Sequence, residues 1–205
     1  MVPGNNSPRY QIEDLGMSTQ ITIPAKKNWL SLIFLAIWLT GWLCGELFAL
    51  TMLLSSISAL LAELFGFSIG WIELDSEGTG AVIGGFMLVW LAIWTWGGYS
   101  AVRSFLWQVA GKEIIEVSRM GIKLSRPILG LGKVKEYQAG EIVDLRILED
   151  HERIQKKTIA GLNTLIFDYE FDMIEFGGGL TPIETKSILE EITKRYRQYT
   201  PEPFE

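Results

Sequence analysis

One carboxylate sits where water is scarce. Glu46 is the only Asp, Glu, Lys, Arg or His in the 26-position apolar run from Trp29 to Leu54. An acid in such a run serves either proton or ion movement or a structural hydrogen bond. The structural bond is the favoured reading, with the Trp90 indole N–H as the expected donor. Other reactive side chains are sparse. His151 is the single histidine and stands in the polar loop Glu149-Asp-His-Glu-Arg, where a solvated imidazole is expected instead of a ligand or a base. No Ser-His-Asp set can be built around a second histidine, and the solitary Cys44 offers neither a thiol pair for a metal nor a disulfide. Gly177-Gly-Gly lacks the lysine of a phosphate loop, and Gly130-Leu-Gly132 reads as a turn. The expectation is a protein without enzymatic activity, metal or cofactor.

The one charge cluster above background is basic. Arg119, Lys123, Arg126, Lys133 and Lys135 fall between Val117 and Lys135 with no acid among them, although residues 111–205 hold 14 basic and 17 acidic side chains. A solvated sheet face is the plain reading. Contact with anionic lipid headgroups is the functional one, each near-surface charge contributing roughly 1 kcal/mol. Nucleic acid fits poorly, because the formal net charge is -6 and no exposed aromatics are interleaved with the basic residues.

The elements that must position Glu46 are two apolar runs. The first, 29–54, is long enough to cross roughly 30 Å of hydrocarbon as a tilted helix. Its first 22 positions carry eleven Leu, Ile or Phe, each favouring insertion by about 0.3–0.6 kcal/mol, against roughly 3 kcal/mol for a central acid. The second, residues 80–108, has its only charge at Arg103 near the end, where a long side chain reaches the headgroups. Gly84, Gly85, Gly97 and Gly98 suit helices that pack closely in lipid. A cleaved signal peptide is the competing reading of the first run, and it is disfavoured because 28 residues precede a run longer than a signal core.

Orientation follows from the flanks. The connection 55–79 carries Glu63, Glu73, Asp75 and Glu77 and no Lys or Arg, whereas Lys26 and Lys27 precede the first run and Arg103, Lys112 and Arg119 end or follow the second. The positive-inside rule then predicts an integral membrane protein with two spans and both termini in the cytoplasm. Residues 1–28 are expected as a cytoplasmic lead-in segment. The stretch Ile57–Phe67 is expected either to extend the first helix or to lie along the outer interface, with Gly66 and Gly70 breaking it.

The two runs look like copies. Phe34, Trp38, Leu39, Trp42 and Gly45 match Phe86, Trp90, Leu91, Trp94 and Gly97 at a constant offset of 52. Antiparallel spans would make this an inverted repeat, a pattern used by some transporters. Trp38, Trp42 and Gly45 share one helical face, as do Trp90, Trp94 and Gly97 or Gly98. If Trp29 and Trp107 mark one interface, residues whose numbers sum to about 136 share a depth. Trp38 is then level with Gly98, Trp42 with Trp94, and Glu46 with Trp90, which predicts hairpin packing of rings against glycines.

After Gly111 the pattern alternates. Glu113–Ser118, Gly121–Arg126, Lys133–Tyr137 and Glu141–Leu148 read as strands, Arg153–Ile159 as a possible fifth, and Asn163–Tyr169 with Phe171–Phe176 as a hairpin. Gly177-Gly-Gly-Leu then leads into a helix marked by Thr181 as N-cap, Pro182 in first position and Glu184 completing a capping box. Ile188, Leu189, Ile192 and Tyr196 form its apolar stripe, and Pro201 and Pro203 end the ordered chain. The predicted fold is a membrane helical hairpin plus an α+β domain, 111–199, of six or seven antiparallel strands closed by one helix, with a tail at 200–205.

From Gly111-Lys-Glu-Ile-Ile to Phe176-Gly and the closing helix, this element order resembles the bacterial pleckstrin-homology-like (PH-like) domains of small membrane proteins. The Trp-rich hairpin resembles that of uncharacterised prokaryotic membrane proteins. The resemblance implies a PH-like barrel or sheet at a bacterial inner membrane and carries no catalytic motif. The leading functional expectation is a membrane-anchored scaffold or sensor that binds a protein or lipid at the cytoplasmic face. The alternative is a homo-oligomeric channel- or transporter-like assembly using Glu46.

Overall fold

A computed structural model describes residues 8–65, 79–148 and 163–199. It divides into two compact units, one comprising Lys27–Leu106 and the other Met1–Lys26 together with Trp107–Glu205.

The first unit is built from helices α1 (Trp29–Phe65) and α2 (Thr79–Ala110). Asn28 stands before α1 and its side-chain oxygen accepts the Ser31 N–H at 3.3 Å, as an N-cap residue does. α1 continues through Ile57–Phe65 without a break, so that stretch extends the helix. Gly66, Gly70 and the acids Glu73, Asp75 and Glu77 lie outside the described residues. Both helices are long and apolar enough to cross a membrane. Covered positions along α1 include Leu32, Leu35, Trp38, Trp42, Gly45, Glu46 and Ala49, and along α2 they include Trp90, Trp94, Gly98, Ala101 and Phe105. Each set repeats at three or four residues, giving one stripe per helix. Apolar residues off the stripe, such as Ile37 and Ile93, are exposed.

The second unit is α+β. Strands β1 (Gln11–Asp14), β2 (Ser18–Pro24), β3 (Lys112–Ser118), β4 (Gly121–Ser125) and β5 (Val134–Gln138) form one antiparallel sheet in that order. β6 (Ile142–Ile147), β7 (Asn163–Tyr169) and β8 (Asp172–Leu180) form a second, and helix α3 spans Pro182–Arg195. Alternation drives the burial: Thr19, Ile21 and Ile23 of β2 and Ile115 and Val117 of β3 point inward. Residues of both sheets and Ile188 and Ile192 of α3 share one core, in which Phe167 lies between Tyr137 and Phe176. The capping box at Thr181 and Glu184 forms as the sequence predicts, and Pro182 opens the helix.

Three expectations change. Residues 1–28 are not simply a lead-in: β1 and β2 occupy them, and β2 pairs with β3 along its whole length. The domain is therefore discontinuous, and restricting it to 111–199 omits an inner strand whose Ile21 is fully buried. The strands do not close into a barrel among the described residues; five and three form separate ladders joined through side chains. The last strand does not end at Phe176 but continues through Gly177-Gly-Gly to Leu180, with Gly177 and Gly179 at φ 73° and 87° where the β7–β8 register shifts. Arg153–Ile159 and His151 lie outside the described residues.

One ion pair ties the two sheets. Glu113 of β3 is 5% exposed. Its Oε1 accepts Arg126 Nε at 2.9 Å and its Oε2 accepts the Gly177 N–H of β8 at 2.9 Å. Arg126 also donates to the Glu175 carbonyl at 3.1 Å. A buried carboxylate is tolerated when its lone pairs are filled in this way.

Candidate functional site

Within the hairpin, the interlocking of tryptophans and glycines is reciprocal. The Trp94 ring lies against Gly45, with its Cζ2 3.5 Å from where a Gly45 side chain would begin. The Trp42 ring fills the place of a side chain at Gly98. Trp42 Nε1 donates to the Trp94 carbonyl at 3.1 Å, Trp90 stacks on Trp94 at 4.9 Å, and Trp38 meets Trp94 at 6.4 Å. Gly97 faces open space, so Gly98 alone of the pair receives a ring.

These contacts correct the expected partners. Trp38 was expected beside Gly98, but Trp42 is the ring that sits there. Glu46 was expected to accept from Trp90, but the donor is the Thr95 hydroxyl, 2.6 Å from Glu46 Oε1. Every shift runs the same way. Helical side chains lean toward their own N-terminus, so in an antiparallel hairpin each reaches about one turn beyond the residue level with it. Level pairing by residue number leaves out that lean, and leaves out threonine as a donor.

Glu46 is 8% exposed. Its Oε2 and the Trp94 indole nitrogen are buried without a hydrogen-bond partner among the described residues. An unfilled buried polar group costs roughly 1–3 kcal/mol. Thr95 also lines an open groove on α2 with Leu88, Leu91, Ala92, Trp96 and Tyr99.

The five basic residues do not act as one patch. Arg126 is committed to Glu113 and the Glu175 carbonyl. Lys123 pairs with Glu136 at 2.9 Å, and that carboxylate holds its ammonium above the usual lysine value. Arg119 follows β3 at the end farthest from Lys112, seven strand residues or roughly 20 Å away. Lys133 and Lys135 are exposed and have no ion-pair partner among the described residues. They belong to the end of the sheet where α2 delivers the chain.

That end has a distinct construction. Gly111 continues α2 by donating its N–H to the Trp107 carbonyl at 2.8 Å, and its own carbonyl accepts the Ala25 N–H at 3.0 Å. Gly111 also forms an isolated antiparallel bridge with Ile128. Ile128 and Leu131 exchange both backbone hydrogen bonds, at 2.9 and 3.0 Å, across a two-residue turn formed by Leu129 and Gly130. Both turn residues have positive φ, 52° and 84°, as a type I′ turn requires. Leucine is unsuited to the first of these positions, and the left-handed conformation costs it roughly 1–2 kcal/mol. It is also 68% exposed, and Leu131 is 82% exposed. The turn expected at Gly130-Leu-Gly132 overlaps this one only at Gly130, and the two displayed leucines were not foreseen; a Leu-Gly pair where Asn-Gly is usual was the available signal.

Comparison with protein-family models, with curated proteins and with solved structures gives no match in any of the three.

Proposed function

We propose that this chain is a membrane-anchored, non-enzymatic scaffold or sensor whose two-helix hairpin crosses the bilayer. In this reading the discontinuous α+β domain is held on the cytoplasmic side and binds a protein or anionic lipid there. The single observation that carries it is the pairing of β2 with β3. β2 leads into α1 and β3 follows α2, so one polar domain incorporates both the entry to the first apolar helix and the exit from the second. Two long apolar helices whose outer ends of chain meet in one domain suit a hairpin that leaves and re-enters the same side. The exposure of the apolar positions supports it: only 17% and 6% of the two apolar windows are buried, against the near-complete burial of a core helix in water. Lys26, Lys112, Lys133 and Lys135 are exposed at this end of the domain, in keeping with the cytoplasmic side. The likeness to bacterial PH-like domains of inner-membrane proteins remains part of the proposal as a match of element order in the C-terminal part.

Single cysteines in a Cys44→Ala background test the topology. In intact cells an impermeant thiol reagent should label Glu73→Cys in the α1–α2 connection and spare Lys186→Cys on α3. Labelling of Lys186→Cys from outside overturns the orientation.

A second reading rests on Glu46, whose Oε2 is buried without a partner among the described residues. It is a homo-oligomeric channel- or transporter-like assembly in which that carboxylate faces the conducted ion. Native mass in detergent and in lipid distinguishes it, since a strict monomer removes it.

A further inference from the structure

We propose that the Leu129–Leu131 turn is a membrane-dipping tip. In this proposal the two leucines enter the boundary between headgroups and acyl chains of an anionic leaflet, while Lys112, Lys133 and Lys135 meet the phosphates. It deepens the reading of a hairpin that crosses the bilayer and rests on it.

Three independent features converge on this turn. The first is position. Ile128 bridges to Gly111, the first residue beyond α2, so the turn tip begins one residue from the point where an apolar helix ends. The second is conformation. Folding alone favours Asn or Gly at the first position of such a turn, yet the chain places a leucine there with φ 52°, facing solvent. A side chain that harms its own turn and covers no core surface is explained by something outside the domain that it covers. The third is charge. Lys133 and Lys135 follow directly, two residues apart on one face of the chain, and are exposed and free of ion-pair partners among the described residues, as is Lys112.

Exposed leucine beside unpaired lysine is the chemistry of an interfacial anchor: apolar side chains enter the acyl boundary while ammonium groups stay among anionic headgroups. The opposite end of the sheet differs in the first two features. Met17 and Met120 are exposed there, and Met120 stands beside the exposed Arg119, but neither methionine has a positive φ, and the apolar helices join the sheet at the other end, after Pro24 and before Lys112.

The test uses the full chain in lipid nanodiscs, with a nitroxide placed in a Cys44→Ala background at Leu129→Cys, Leu131→Cys, Met120→Cys or Ile37→Cys. Collision with oxygen reports burial in lipid, and collision with a water-soluble nickel complex reports exposure to water. In discs containing phosphatidylglycerol, the Leu129 and Leu131 probes should favour oxygen, with nickel accessibility roughly tenfold below that of Met120, because ions are excluded from hydrocarbon. Lys133→Glu combined with Lys135→Glu should remove most of that difference, and pure phosphatidylcholine should reduce it. The Ile37 probe, on the exposed face of α1, separates two kinds of failure. If Ile37 favours nickel, the bilayer-crossing hairpin itself is wrong. If Ile37 favours oxygen while Leu129 is as open to nickel as Met120, the tip proposal alone is overturned. A Leu129 probe shielded from both reagents overturns it as well, since that pattern marks a protein contact.

Discussion

Ala25 donates its N–H to the carbonyl oxygen of Gly111 over 3.0 Å, extending a ladder in which Pro24 faces Lys112 and Ser18 faces Ser118. All of these pairs sum to 136, and so do Trp42 and Trp94, which are joined by a hydrogen bond inside the hairpin. The segment entering α1 and the segment leaving α2 are thus held side by side by backbone bonds. Of the five pairs related by the repeat offset of 52, Trp42 and Trp94 alone also sum to 136, which places them at the centre of the inverted pattern.

If β2 is an integral strand, its core side chain should matter as much as any from the C-terminal part. Ile21→Ala should lower stability by roughly 2–5 kcal/mol, seen as an earlier thermal transition of the full chain in detergent. Met17→Ser, at a residue 91% exposed, should leave the transition in place. An unchanged transition in Ile21→Ala would show that β2 is dispensable to the domain.

The glycines of α2 allow a paired comparison. A methyl group at Gly98 runs into the Trp42 ring, whereas one at Gly97 meets nothing within 4 Å. Gly98→Ala should therefore destabilise the hairpin by about 1–3 kcal/mol, the usual range for overpacking, and Gly97→Ala should be close to neutral. Trp42→Ala should relieve the Gly98→Ala defect in a double-mutant cycle. Equal effects at both glycines would contradict the ring-in-glycine arrangement.

The sequence made some of this legible and hid the rest for physical reasons. Helix starts at Trp29 and Pro182, the capping box at Thr181 and six of the strands expected after Gly111 follow from local signals, and they appear within a few residues of where they are expected. β2 alternates Thr19, Ile21 and Ile23 as clearly as β3 does, but its partner is some ninety residues away across two apolar helices, so local reading took it for a lead-in. β1 gave no signal, because all four of its residues are exposed. The basic cluster was visible as a run, yet its meaning depended on which carboxylates stood across the strands: Glu136 opposite Lys123 and Glu113 beside Arg126.

Low pH should loosen α3 from the N-terminal strands. Burial pushes the Glu184 carboxyl up, but the backbone N–H groups of Arg9 and Thr181 and the Thr181 hydroxyl outweigh it, holding the group below its ordinary 4.5. The hydrogen-bonded Arg195 guanidinium likewise holds Asp14 below 3.8. Both are carboxylates with depressed folded-state values, so their stabilisation is fully present above the ordinary values and is lost as pH falls through the lower folded ones. The thermal transition should decline below about pH 4.5, and Glu184→Gln with Asp14→Asn should flatten that decline. An equally steep decline in the double variant would assign the acid sensitivity to other groups.

Glu46 is where structural and transport roles diverge most sharply, and Thr95 now supplies the partner needed to separate them. The Thr95 hydroxyl donates to Glu46 Oε1 at 2.6 Å, and a glutamine at 46 retains an oxygen able to accept that bond. Under a packing role, Glu46→Gln should keep the thermal transition within a few degrees of the parent, while Glu46→Leu and Thr95→Val each lose the bond. Thr95→Val should be the worse of the two by roughly 1–3 kcal/mol, since it leaves a buried carboxylate with neither oxygen satisfied, whereas Glu46→Leu removes the unfilled acceptor altogether. Under a transport role, Gln removes the titrating charge and should abolish proton or cation flux in reconstituted vesicles without disturbing the fold. Each variant is therefore read twice, by thermal stability in detergent and by flux in vesicles. Flux in the parent that vanishes in Glu46→Gln would establish transport, whereas a parent without flux, together with losses confined to Leu and Val, would fix Glu46 as a structural bond.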